Sequence, residues 1–160
     1  MNVKTPPPST GAGLGIAGLL EGAGAALMFI GAYVPWVVSF ALFVTVPVRG
    51  VQTTYGRILP IIPLFALGLL AWRWYVRRAR WVHLPILLLG IATVTLALVY
   101  AVEVKRNLAR TQQSLARSGQ VLPGTVRVDF DVGIYLTVAG GSAMFIGGIL
   151  GLRQDRPLHA

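Results

Sequence analysis

Apolar runs separated by short polar breaks dominate this chain, and those over about 12–34, 58–76, 82–104 and 132–152 are each long enough to cross a bilayer. A spanning helix needs about 20 mostly apolar residues, and helices close every backbone hydrogen bond internally, as lipid requires. The pattern predicts an all-α membrane protein, one domain over residues 1–160, with four transmembrane helices in an antiparallel bundle and outer loops at 35–57 and 105–131.

The outer loops carry a different period. Val38, Phe40, Leu42, Val44 and Val46 are spaced by two, and Val126, Val128 and Phe130 alternate with Arg127, Asp129 and Asp131. Alternation of this kind marks half-buried strands, so a small extracytoplasmic β-sheet is expected, with Gly50 and Gly56 as turn points. The competing reading makes 37–48 a helix extension or a re-entrant segment. Residues 105–118 are good helix formers bearing Arg106, Arg110 and Arg117, so the third helix is expected to run beyond the bilayer to Gly119 as a basic amphipathic arm.

Small residues recur every four positions in the first helix (Gly18, Gly22, Ala26) and in the last (Gly133, Thr137, Gly141; Ala143, Gly147, Gly151). Such stripes let helix backbones approach closely, so these two helices are expected to touch. Pro60 and Pro63 suit the opening turn of the second helix. Trp36, Trp72, Trp74 and Trp81, with Arg77, Arg78 and Arg80, are the expected interfacial anchors.

Composition strengthens the membrane reading: 55% of residues are hydrophobic and 12% charged, which leaves too little polar surface to wrap a soluble globule. The net charge of +9 suits loops facing anionic headgroups and gives no separate reason to invoke nucleic acid. Seven basic residues fall on each side of the expected bundle. The density of arginine in the shortest loop places that loop, and with it both termini, on the cytoplasmic side of the membrane. The proline-rich start is a poor signal peptide, so the first apolar run is expected to stay as a membrane helix. Without cysteine there is no disulfide, thiolate metal site or catalytic thiol.

Two polar residues interrupt the apolar runs. Glu21 lies inside the first, where a carboxylate is costly unless it is paired or protonated; it is the candidate intramembrane carboxylate for proton or cation handling. His83 opens the third helix and is the candidate ligand for a haem or pigment metal. The expected alternatives are structural pairing for Glu21 and an interfacial place for His83. Gly11 to Gly15 lacks the strand and the Gly-Lys-Ser/Thr of a phosphate loop. Ser39, Ser114, Ser118 and Ser142 have no triad partners nearby in sequence. No catalytic residue, metal site or cofactor is assigned, and no enzyme is expected.

The order of features is familiar: a Gly/Ala-rich first helix ending in Val34-Pro35-Trp36, an outer strand, Arg49-Gly50-Val51-Gln52-Thr53-Thr54-Tyr55-Gly56-Arg57 before helix 2, an arginine turn, and a last helix from Val132-Gly133-Ile134 to Gly148-Ile149-Leu150. Over nearly its whole length the chain resembles small bacterial four-helix membrane proteins. Its topology is also similar to that of claudins, without their paired cysteines. The resemblance implies topology and no activity.

The functional expectation is a non-catalytic accessory or scaffold subunit of a larger membrane complex, docking through glycine-rich helix faces and the basic outer loop onto other membrane subunits. The alternatives are a small oligomeric transporter or channel using Glu21, and a haem- or pigment-binding subunit using His83.

Overall fold

The computed structural model describes residues 15–41, 44–54, 56–75, 80–118 and 126–154. Among these, the chain forms helices α1 (Ile16–Tyr33), α2 (Ile61–Tyr75), α3 (His83–Ser118) and α4 (Val132–Gln154), and strands β1 (Pro35–Ala41), β2 (Val44–Arg49) and β3 (Val126–Phe130). α1, α3 and α4 are long and apolar enough to cross a membrane. The expected second span is shorter than 58–76: residues 56–60 form turns, and α2 has 15 residues, about 22 Å of helix. Large apolar side chains such as Leu19, Leu64, Phe65, Leu88, Leu98 and Ile146 point outward, as lipid-facing residues do.

α4 packs against both α1 and α3. A methyl group added at Gly140 would meet the Gly24 carbonyl oxygen at 2.5 Å, and one added at Gly147 the Ala17 carbonyl at 3.0 Å. On α4's other face, Gly141 lies against Gly90, and Gly148 against Leu87. In both contacts rising numbers on α4 meet falling numbers on the partner. α4 is thus antiparallel to α1 and to α3, and these two are parallel to each other.

The expected α1–α4 contact is present, and on α4 the expected Gly133, Thr137 and Gly147 take part in it, but on α1 the contact runs through different residues. Gly18 is buried, whereas Gly22 has open space beside it and Ala26 is exposed; Gly24 and Gly31 hold the interface instead. The steps that matter are of seven residues: Ala17, Gly24 and Gly31 face Gly147, Gly140 and Gly133. Seven residues complete nearly two turns and drift by only about 20°, whereas a four-residue step at 3.6 residues per turn leaves the contact line sooner.

The sheet has the order β2-β1-β3, antiparallel throughout. Its two loops pair as expected, but 37–48 is a hairpin rather than one strand, with Leu42 outside the described residues. A second cluster of buried residues, including Ala32, Trp36, Val37, Leu59, Ala97 and Ile134, joins the sheet to the bundle. Asp131 links β3 to α4. Its N–H donates to the Trp36 carbonyl at 2.8 Å, and its Oδ1 accepts the Val132 N–H at 2.7 Å, satisfying one of the free donors at the start of α4.

Candidate functional site: a buried Glu–His pair and a basic head

Glu21 is the sixth residue of α1 and His83 the first of α3. Because these helices run parallel, both side chains lie at the same end of the bundle. Glu21 Oε1 and His83 Nδ1 are 2.6 Å apart, and both residues are fully buried. α4 supplies the space. A methyl group at Gly147 would meet Glu21 Cγ at 2.8 Å, and one at Gly151 would overlap the His83 imidazole. Each group supplies the other with a hydrogen-bond partner, as polar groups taken into an apolar interior require. The other carboxylate oxygen, Glu21 Oε2, is buried and has no hydrogen-bond partner among the described residues.

The structural alternative expected for Glu21 is therefore present, with His83 as its partner. His83 departs from its interfacial expectation. Its Nδ1 engages Glu21 and its ring lies against α4. Among the described residues no three His, Cys, Asp or Glu side chains converge as a metal site. The pairing spans 62 positions, and the sequence signal that could have found it is two lone polar residues at the same end of two parallel helices.

The expected anchors divide. Trp72, Trp74 and Trp81 are exposed, as membrane-interface rings are, but Trp36 is fully buried. Its Nε1–H donates to the Gly31 carbonyl at 2.8 Å, one of the last carbonyls of α1. Gly50 and Gly133 make room for its indole, and Tyr100 meets it edge-on at 5.2 Å. Trp36 thus ties α1, α3, α4 and the turn after β2 together. Arg77 and Arg78, and the side chain of Arg80, lie outside the described residues. The Gly50–Gly56 turn is closed by Thr53, whose hydroxyl donates to the Gly50 carbonyl at 2.8 Å and accepts from the Gly56 N–H at 2.9 Å.

At the opposite end stands the head. α3 has 36 residues, about 54 Å of helix, against a hydrocarbon core of about 30 Å. It continues past the bundle as expected, to Ser118. A cleft of about 450 Å³ lies between this arm and the sheet, lined by Val104, Lys105 and Leu108 of α3, Val128, Asp129 and Phe130 of β3, and Tyr135 of α4. Lys105 Nζ stands 5.8 Å from the centre of the Phe130 ring. The head carries seven basic residues (Arg49, Arg57, Lys105, Arg106, Arg110, Arg117, Arg127) against Glu103, Asp129 and Asp131.

No protein-family model matches the chain, and no curated protein is similar to it.

Proposed function

We propose that this chain is a non-catalytic docking subunit of a larger assembly in a bacterial cytoplasmic membrane, anchored by four crossings and recognising an acidic partner protein through its head. The observation that carries this reading is the basic continuation of α3 beyond the bundle, with an apolar-floored cleft beside it. An anchor needs no such arm, whereas a steering surface uses concentrated charge of one sign. The glycine faces, expected to dock laterally, are largely occupied within the chain: Gly133, Gly141, Gly147 and Gly151 all face neighbouring elements. The head is the surface that remains.

Gentle purification from native membranes tests the proposal. A stoichiometric partner that is lost when Arg106 and Arg110 are replaced by Glu supports it; a chain that purifies alone, or a partner indifferent to those changes, refutes it.

A second reading draws on the buried Glu21 Oε2. An intramembrane carboxylate with a spare oxygen suits proton exchange, and a small oligomeric transporter would use it. Proton flux into liposomes that disappears in Glu21→Gln would favour that reading over docking.

A further inference from the structure

Strand pairing determines which backbone groups of the sheet remain on offer. β3 pairs with β1 from Val37↔Phe130 to Ala41↔Val126, and the Asp131 N–H donates to Trp36. Bonded and non-bonded pairs alternate along an antiparallel ladder. Asp129 and Arg127 therefore turn their N–H and C=O groups towards β1, while Val128 and Phe130 turn theirs to the outer edge. The same alternation runs through β1 to its other neighbour. Val38 uses its groups on β3, so Pro47 opposite it faces away from β1 and into the outer edge of β2. Proline brings no N–H there, a usual way of closing a sheet edge.

β3 has no proline to close its edge. The cleft lies alongside it, with the apolar Val104 and Leu108 across from β3 and Lys105 within reach of whatever enters. The strand's own exposed charges, Arg127 and Asp129, pair with each other at 3.0 Å, which leaves Lys105 as the charge the cleft presents, while Arg106 and Arg110 lie on the other face of α3 beside Glu103.

We propose that the outer edge of β3 takes up an extended, acidic segment of the partner protein as a fourth strand. Main-chain hydrogen bonds to Val128 and Phe130 hold the segment, and one set of its alternate side chains enters the apolar cleft beside Lys105, as in other cases of strand addition. The inference rests on the docking role proposed above and names the form of the ligand.

The test uses the full chain in detergent micelles, selected against a displayed library of short random peptides, with the selected peptides measured by fluorescence polarisation. Peptides alternating apolar residues with Asp or Glu should be enriched. Val128→Pro, which removes an outward N–H and leaves the ladder to β1 intact, should weaken binding about tenfold relative to Val128→Ala, which trims the side chain but keeps the N–H, the difference being the loss of one main-chain hydrogen bond. N-methylation along the peptide should abolish binding at every second position, a readout that leaves the protein unaltered if Val128→Pro fails to fold. Failure to enrich any peptide, absence of the two-residue period, or binding that salt abolishes but Val128→Pro leaves unchanged would each overturn strand addition. A native partner retained by a folded Val128→Pro protein would overturn it too, while leaving the docking role standing.

Discussion

Glu21 and His83 would each be a liability alone in hydrocarbon, and together they form one hydrogen-bonded pair. Removing one partner of a buried pair leaves the other uncompensated, at a cost of about 3–5 kcal/mol, whereas replacing both with apolar side chains is often neutral. Glu21→Met and His83→Leu should each lower the midpoint of unfolding in a denaturing-detergent titration, and the double variant should recover most of the loss. Additive losses would show that the two side chains do not act together. Each residue was legible as unusual in the sequence, because a polar group in an apolar run is conspicuous. Their union was not, since it depends on α4 placing Gly147 and Gly151 against two side chains that lie 62 positions apart. Trp36 carries the same lesson in reverse. A tryptophan at the end of an apolar run has the pattern of an interface anchor, but the glycines at 31, 50 and 133 that enclose it come from three separate segments.

At the scale of elements, α4 is organised by two glycine lines, one for each parallel neighbour. Gly140→Ala would press a methyl group to 2.5 Å from a backbone carbonyl, and Gly151→Ala would drive one into the imidazole; neither backbone nor buried ring yields cheaply, and a loss of about 1–3 kcal/mol is expected for each. Gly22→Ala and Gly68→Ala meet nothing within 4 Å. They should leave stability unchanged or raise it by up to about 1 kcal/mol, the helix-propensity difference. Thermal unfolding followed by circular dichroism separates the two groups, and equal effects would mean that the α4 contacts do not limit stability. The stripes of small residues made it legible that α1 and α4 touch. Which glycines do the touching depends on rotational drift along the whole interface, which a short four-residue motif does not reveal. The strands were similarly visible in their alternation, whereas the antiparallel return of β2 on β1 was not: residues 37–48 as a single strand would reach about 40 Å, more than the small head can pair.

For the whole molecule, the parallel course of α1 and α3 has a topological consequence. On the proposed membrane arrangement, two consecutive spanning helices that point the same way call for a return crossing between them, and α2 is the helix available for it. Its 15 residues fall short of a typical span, but apolar Ile58 and Leu59 precede it, and exposed Trp72, Trp74 and Tyr75 at its other end suit the interface. Local bilayer thinning or interfacial anchoring accommodates a short helix at a modest cost. The chain has no native cysteine, so single cysteines report sidedness without background. Arg57→Cys and Arg110→Cys should react with a membrane-impermeant maleimide from one side, and Arg73→Cys and Arg153→Cys only from the other. The first pair should react in intact spheroplasts if the arginine-dense turn faces the cytoplasm. Labelling of Arg57→Cys and Arg73→Cys from the same side would remove the second crossing. The parallel packing of α1 and α3 would then be incompatible with both of them spanning the bilayer.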